Sequence, residues 1–404
     1  MIPRTGVENT DLTQRGLAPR VALVHEWLVH PAGSEAILAE LKGMFPGAVV
    51  HCLLDRLTPD ARAALGVGRT VQSPLGALPR IGDWYRWALP LMPWAVEWLD
   101  VSAYDIVISV SHAVAKSVRT HPGQFHATIC CTPMRYAWDL EEDYLGRTPV
   151  RRALARPLLA RLRAWDRATA SRSDAVFAIS RFVEERIERC WGRASDAVLY
   201  PPVDTEFFQP EATREGHYVT ASRCVPYKRL DTIIEAFRAL PDRRLEVLGG
   251  GPEFERLQRA APPNVRMMGH ASRELLRERV SRARAFVFAA TEDFGIAPVE
   301  ALACGVPVIA YGRGGACETV GDEGGTRVGL LYSSRTAEGI AAAVREFESD
   351  VEPGISASDC RARAEQFSRA VFRERVESLL QRTRALAKKR RDPADGRVSS
   401  LVQE

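Results

Sequence analysis

The chain has 404 residues, of which 46% are hydrophobic and 26% are charged. At about 100–200 residues per domain, this length predicts two sizeable domains. Its 55 basic and 51 acidic residues give a net charge of +4. This balance is too even for a dedicated nucleic-acid-binding protein, so no nucleic-acid partner is expected. The eight cysteines form no CxxC pair, which fits a reducing cytoplasm.

The two ends of the chain are polar. Residues 1–18 lack the apolar core of a signal peptide, and we expect them to be a disordered extension. Residues 388–404 begin with four consecutive basic residues and are expected to be a disordered basic tail. No stretch is long and apolar enough to predict a membrane span.

Short apolar runs rich in valine and isoleucine alternate with longer helical patterns along the chain. This alternation predicts an α/β fold with parallel sheets covered by helices on both faces. The runs predicted as strands in the first half are Val21–Val24, Val49–Leu54, Asp105–Val110, Thr128–Cys131, Ala175–Ile179 and Ala197–Tyr200. Those in the second half are Tyr218–Ser222, Leu245–Leu248, Val265–Met268, Ala285–Ala289, Pro307–Tyr311 and Gly329–Tyr332.

A pair of adjacent prolines, Pro201 and Pro202, separates the two sets of strands. Because adjacent prolines stop both helix and sheet, residues 201–216 are predicted to be a linker. It would join two Rossmann-like domains, at residues 19–200 and 217–368, and a helix at 369–387 would cross back to the first. Ligands of such sheets bind beyond the carboxyl ends of the strands, so we expect a ligand cleft between the domains.

The most specific motif is residues 291–309, TEDFGIAPVEALACGVPVI, between two predicted strands. Glu292 is expected on the loop that leaves the first strand, and Glu300 in the first turn of the following helix, which Pro298 suits. The unpaired N–H groups of a helix start favour a diphosphate. Two acids at this spacing can accept hydrogen bonds from two sets of hydroxyls. The plainer interpretation is that acids are common at the start of a helix because the helix dipole favours them.

This string resembles the signature of the retaining glycosyltransferases of family 4, which have the GT-B fold. The resemblance implies that Glu292 contacts the transferred sugar, that Glu300 holds the ribose, and that Phe294, Gly295 and Ile296 lie at the donor. The activity it implies is transfer of a sugar from a nucleotide-sugar donor. No cofactor and no metal are expected, because the second half offers cations and a helix start but no convincing pair of acids at a strand end to hold a divalent ion. The resemblance to this family spans about Val21 to Leu380.

Further pieces of the second half agree with this resemblance. The run 222–231, SRCVPYKRLD, places Arg223 and Lys228 where the family has two cations that neutralise the leaving diphosphate; an ordinary basic loop is the alternative. Gly250 belongs to a glycine-rich turn near the nucleotide in the family. His270 is expected near the base or, equally, as a surface histidine.

The first half is expected to contribute the acceptor side and part of the donor site. His112 follows a predicted strand and matches the family's cleft histidine near the transferred sugar. Gly33 and Glu35 keep the pattern of the family's glycine loop, while Ala32 replaces its first glycine. The run 131–140, CTPMRYAWDL, resembles bacterial polysaccharide and O-antigen mannosyltransferases, which favours GDP-mannose as the donor; a packed loop with a buried tryptophan is the plainer interpretation.

Two stretches suit either core packing or contact with an anionic membrane. Residues 81–99 contain four tryptophans, and residues 151–167 form a basic amphipathic pattern. The expected location is the cytoplasm, with contact to the inner face of the membrane as the open alternative. The expected acceptor is a glycan or a lipid-linked glycan.

Other functions of an α/β protein are less consistent with the sequence. A dehydrogenase needs a glycine-rich fingerprint after its first strand, where this chain has His25-Glu26-Trp27-Leu28. Neither a GxxxxGK[ST] loop nor a His/Cys cluster with metal-ligand spacing is found. A sugar-nucleotide 2-epimerase of the same fold and a non-catalytic nucleotide-sugar-binding protein remain as alternatives.

Overall fold

The computed structural model describes residues 19–29, 33–139, 149–211, 213–321 and 325–391. The predicted N-terminal extension and residues 392–404 of the predicted tail lie outside them. The chain divides into two compact units, Met1–Val176 with Gln381–Glu404, and Phe177–Leu380. The predicted domain limits stay predictions.

The first sheet has the strand order β3-β2-β1-β4-β5-β6-β7. Its inner strand β1 pairs in parallel with β2 and β4, so that His25 lies opposite both Cys52 and Val110. Because β1 is covered on both faces, all eight of its residues are buried. The strands are β1 Val21–Leu28, β2 Val49–Asp55, β3 Thr70–Gln72, β4 Ile106–Ser111, β5 Phe125–Cys130, β6 Ala175–Ala178 and β7 Ala197–Val198.

The second sheet has the order β10-β9-β8-β11-β12-β13. Its strand pairs are parallel, and its order 3-2-1-4-5-6 is that of a Rossmann sheet. The strands are β8 Tyr218–Ala221, β9 Leu245–Leu248, β10 Val265–Gly269, β11 Ala285–Phe288, β12 Val308–Tyr311 and β13 Gly329–Tyr332.

Helices connect the strands, and several begin at a hydroxyl side chain that accepts a hydrogen bond from the first turn, as Ser180, Ser272 and Thr336 do. Those of the first half are α1 Gly33–Met44, α2 Pro59–Ala64, α3 Ile81–Trp84, α4 Met92–Glu97, α5 Arg135–Trp138, α6 Pro149–Thr169 and α7 Arg181–Trp191. Those of the second half are α8 Leu230–Arg238, α9 Phe254–Ala260, α10 Arg273–Ser281, α11 Ile296–Ala303, α12 Ala316–Thr319, α13 Ala337–Glu346, α14 Ala357–Glu365 and α15 Arg369–Arg391.

A buried ion pair lies inside the first unit. The Lys116 ammonium lies 3.1 Å from the Asp166 carboxylate, and both side chains are almost fully buried. The Trp138 indole N–H donates to the same carboxylate over 2.8 Å. Removing one partner would leave a buried charge unpaired, which costs roughly 3–5 kcal/mol. Through Asp166, this group of contacts holds the chain after β4 and the run 131–138 against α6.

The predicted strands are all present, and the differences have local causes. β1 continues to Leu28, beyond the predicted end at Val24, because its polar residues are also buried. The short edge strand β3 is partly exposed and lacks an apolar run, so the sequence did not predict it. α15 ends at Arg391, so residues 388–391, expected to begin a disordered tail, are helical; the Arg391 guanidinium reaches the Asp174 carboxylate at 2.5 Å.

The cysteines are free thiols and are mostly buried. All eight cysteines lie in the described residues as free thiols, and Cys317 is the one that is exposed. Burial raises the pKa of the Cys52 and Cys304 thiols to about 12, which keeps them protonated. Among the described residues, no helix combines the length and the apolar character that crossing a membrane requires.

Candidate active site

In the second unit, the site lies where the strand order reverses. β8 lies between β9 and β11, so the loops that leave β8 and β11 start side by side at the carboxyl edge of the sheet. The first loop carries Arg223 and Lys228, and the second carries Glu292. In open α/β sheets, this edge is where ligands bind.

An ion pair joins these two loops. The Lys228 ammonium contacts the Glu292 carboxylate, and the two side chains are 16% and 20% exposed. Arg223 is exposed. The structure therefore brings two of the predicted catalytic residues, Lys228 and Glu292, into direct contact, with a second cation on the same loop as Lys228.

The start of α11 supplies the expected N–H groups. Gly295 is the residue before the helix and has φ +88°, a left-handed conformation that favours glycine. The helix begins at Ile296, so Pro298 is its third residue and Glu300 its fifth. The expectation that Glu300 lies in the first turn is therefore wrong: it lies one turn further along, because the helix starts before the proline.

Phe294 packs instead of facing outward. Its side chain is 3% exposed, and its ring contacts the rings of Tyr200 and Phe367 at centroid distances of 5.8 and 5.4 Å. Next to it, Asp293 pairs with Arg186 of α7. The loop 292–295 is thus held by the ion pair of Asp293 and by the packing of the Phe294 ring.

Glu300 is partly buried, and this burial raises the pKa of its carboxyl to about 7, although Arg273 acts in the opposite direction and Asp204 adds to the increase. A carboxyl with a pKa near neutrality is costly to ionise in the folded protein. Such perturbed groups are typical of functional sites.

The glycine turn after β9 packs against the loop after β8. At Gly249, φ is +129°, and a Cβ atom would lie 1.9 Å from the Ser222 carbonyl oxygen, so only glycine fits. The predicted Gly250 has more room, because its nearest neighbour would be His270 at 3.9 Å. His270 is exposed and follows the edge strand β10. Gly249, and not Gly250, is therefore the position in this turn that requires glycine.

In the first unit, the predicted His112 follows β4, beside the end of β1. Its Nδ1 atom lies 3.1 Å from Oε2 of Glu26, and its side chain is 19% exposed. Glu26 is fully buried in β1. Burial alone would lower the pKa of His112, but the charges of Glu26 and Glu35 raise it above its ordinary value.

The sequence analysis did not single out Glu26 as a functional residue. Burial by itself would raise the pKa of its carboxyl, but the adjacent His112 holds the pKa well below its usual range. His25, Glu26 and His112 each place one ligand atom within 4.8 Å of the others, close enough for a metal ion. Spacing along the chain could not reveal this cluster because His112 lies 86 residues after Glu26. An acid inside a fully buried strand nevertheless indicates a buried partner.

The remaining predicted residues of the first unit lie near the same end of the sheet. Gly33 is the first residue of α1, and Glu35, in its first turn, is buried and accepts a hydrogen bond from Ser34. Pro31 and Ala32 lie outside the described residues. The run 131–138 is packed, with Met134 and Ala137 fully buried.

The fold is the GT-B fold, an α/β class with two Rossmann-type units. Residues 203–367 match the sequence profile of Glycosyl transferases group 1. The residues that resemble family 4, Arg223, Lys228, Glu292 and Glu300, all lie inside this match.

Solved structures share the fold over most of the chain. Anabaena HepE, solved in complex with UDP and glucose, has 18% identity and a TM-score of 0.66 over 90% of this chain and 100% of its own. Sucrose-phosphate synthase from Thermosynechococcus elongatus has 18% identity and a TM-score of 0.65 over 91% of this chain and 100% of its own. At this identity the likeness concerns the fold alone.

Curated relatives are similar over a shorter region. The GDP-mannose-dependent alpha-(1-6)-phosphatidylinositol monomannoside mannosyltransferase of Mycolicibacterium smegmatis is 33% identical over 209 residues, 44% of this chain and 54% of the relative. The protein of the same name from Mycobacterium tuberculosis is 29% identical over 214 residues, 46% of this chain and 55% of the relative. The chain thus spans about half the length of the curated relatives it matches.

The raised pKa of Glu300 predicts a pH-dependent effect of replacing it. The folded carboxyl binds its proton more tightly than an ordinary one, with a pKa of about 7 against 4.5, so wild type loses stability as pH rises between these values. Glu300→Gln avoids this loss and should unfold at a higher temperature than wild type at pH 8. The expected gain is roughly 1–2 kcal/mol, with little difference at pH 4.5.

Thermal unfolding monitored by circular dichroism at both pH values measures this difference. Glu255→Gln, on the exposed surface of α9, is the matched control for loss of one carboxyl group. Equal destabilisation by Glu300→Gln at pH 4.5 and pH 8 would contradict the prediction.

Proposed function

We propose that this protein transfers mannose from GDP-mannose, with retention at the anomeric carbon, to a glycan or lipid-linked acceptor in cell-surface polysaccharide biosynthesis. The observation that carries the proposal is the contact of Lys228 with Glu292 at the switch point of the second sheet, beside the N-terminus of α11. The names of the similar mannosyltransferases support the choice of donor, as does the run 131–140.

The chemistry assigned to the second unit is stabilisation of a leaving group. Arg223 and Lys228 neutralise the departing diphosphate, and the N–H groups at the start of α11 donate to it. Glu292 accepts hydrogen bonds from the sugar, and Glu300 from the ribose hydroxyls. A ribose diol next to Glu300 favours the ionised carboxylate and thus lowers the raised pKa.

Retention follows from the departing phosphate, which deprotonates the acceptor on the same face of the sugar. Among the described side chains of the second unit, we assign none the part of a covalent nucleophile, unlike in many retaining glycosidases. His112 of the first unit is assigned a contact with the transferred sugar. The cations and helix N–H groups do what a divalent ion does in other transferases, so we propose transfer without a metal.

The alternatives are a 2-epimerase and a nucleotide-sugar-binding protein without turnover. Both share the nucleotide site with the proposal, so they differ from it only in what happens to the donor. Incubation with the donor alone separates them: an epimerase changes the sugar, a transferase hydrolyses the donor slowly, and a binding protein leaves it intact.

The donor assignment predicts selective stabilisation and transfer. In a thermal-shift panel of nucleotide sugars, GDP and GDP-mannose should raise the melting temperature most, since a ligand stabilises the folded state by mass action. With radiolabelled GDP-mannose and a bacterial lipid extract as acceptor, label should enter the lipid fraction at a rate that EDTA leaves unchanged.

Glu292→Gln, which keeps the shape of the side chain, is the control for site-dependent transfer. A clear preference for UDP compounds would overturn the donor assignment but not the fold. Loss of transfer in EDTA, with recovery after addition of a divalent ion, would overturn the metal-independent site. His25, Glu26 and His112 would then be the candidate metal ligands.

The proposed lipid-linked acceptor requires access to a membrane, and the first unit has a surface that suits this. Four tryptophans between residues 84 and 98 are exposed, with Trp87 at 84% and Trp98 at 61%. Indole rings favour the membrane–water interface. In the same unit, the helix α6 has the exposed arginines Arg156, Arg161 and Arg167, a charge that suits anionic head groups. We propose an anionic bilayer as the partner of this tryptophan face, residues 84–98.

Vesicle flotation tests the tryptophan face. Wild type should float with phosphatidylglycerol vesicles and much less with phosphatidylcholine vesicles. Trp87→Ala/Trp98→Ala should bind at least about tenfold more weakly, because two buried indole rings contribute more than the ~1.4 kcal/mol that a tenfold change requires. Leu386→Ala, an exposed apolar residue of α15, is the matched control. Equal flotation of the double variant and wild type would overturn the proposal.

A further inference from the structure

The end of β1 meets the chain that leaves β4 around one buried carboxylate. Oε1 of Glu26 accepts hydrogen bonds from the Ser111 hydroxyl at 3.0 Å and from the backbone N–H of His112 at 2.9 Å. It also accepts hydrogen bonds from the backbone N–H groups of the next three residues, 113–115, at 2.8–3.1 Å. A single oxygen thus fixes five consecutive residues, 111–115, after the strand.

The other oxygen of the same carboxylate faces the His112 ring. Oε2 lies 3.1 Å from Nδ1, so Nδ1 is the ring nitrogen that lies next to the Glu26 carboxylate, and Nε2 lies on the other side of the ring. The Trp27 ring meets the imidazole edge to face at 4.7 Å, and the His25 ring lies at 5.8 Å. The imidazole therefore lies between the Glu26 carboxylate and the rings of Trp27 and His25.

We propose that Glu26 is a positioning residue for His112, with one oxygen holding the backbone of the histidine and the other holding its imidazole. The inference rests on the proposed function, in which His112 contacts the transferred sugar. Glu26 would act through His112 and would not touch the donor. A carboxylate that orients an imidazole determines which ring nitrogen can face a ligand.

The alternative is that Glu26 only holds the fold together. Glu26→Gln separates the two roles, because the amide oxygen can still accept from the N–H groups of 112–115, whereas the amide NH2 group cannot accept from Nδ1–H of His112. Other charged groups near the ring, Glu35 and Arg135, are unchanged by this substitution.

A double-mutant cycle with His112→Ala distinguishes the roles. If Glu26 acts through His112, Glu26→Gln should lower kcat about tenfold or more in the wild-type background, as loss of an orienting carboxylate does elsewhere. In the His112→Ala background it should change kcat by less than about twofold. Equal losses in both backgrounds would overturn the positioning role.

A second readout requires neither donor nor turnover. In protein with ¹⁵N-labelled histidine, the imidazole resonances of His112, assigned by their absence in His112→Ala, should show a protonated, hydrogen-bonded Nδ1 in wild type. Glu26→Gln should shift them strongly. Absence of turnover in wild type would overturn the proposed function alone, and His112 resonances that Glu26→Gln leaves unchanged would overturn the positioning role alone.

Discussion

Parallel strands that share a sheet end at one edge, and their order decides which loops meet there. In both sheets of this protein the first strand lies between the second and the fourth, so the chain turns away in opposite directions after strands one and four. The loops on either side of this reversal diverge and leave room for side chains. The candidate site of each unit depends on this constraint.

The same topology places different chemistry in the two units. At the reversal of the second sheet, Lys228 and Glu292 come from the loops after β8 and β11 and neutralise one another. At the reversal of the first sheet, a buried acid within β1 meets a histidine just after β4. In each unit a charged side chain holds a loop at the carboxyl edge of the sheet, so the geometry of the candidate site and its local stability depend on the same contacts.

The strands could be predicted because strands buried on both faces are continuously apolar, as Leu245–Leu248 is. The site motif could be predicted because glycine, proline and the two acids have separate local requirements. Glu26 could not be identified in this way. The polar residue His25, after four apolar residues, was taken as the end of the strand, so Glu26 was left outside it. The partner of Glu26, His112, follows a strand that becomes the neighbour of β1 only in the folded sheet.

Another expectation was wrong for a local reason. Glu300 lies one turn later than predicted because Gly295, and not Pro298, determines where the helix begins. The ring of Phe294 packs against Tyr200 and Phe367, and its predicted place at the donor stays a prediction. A motif identifies the loop that carries a site, while the side-chain directions within the loop depend on packing partners that are distant in sequence.

Calorimetric titration of free GDP into Glu292→Ala and Glu300→Ala tests the central claim most directly, because free nucleotide has a ribose but no transferred sugar. Loss of the ribose contact should weaken GDP binding to Glu300→Ala by about tenfold or more, since a hydrogen bond to a charged group contributes about 1.5–3 kcal/mol. Glu292→Ala should bind GDP nearly as wild type does. The opposite pattern would reverse the assignment of the two acids, and unchanged binding in both variants would contradict the site.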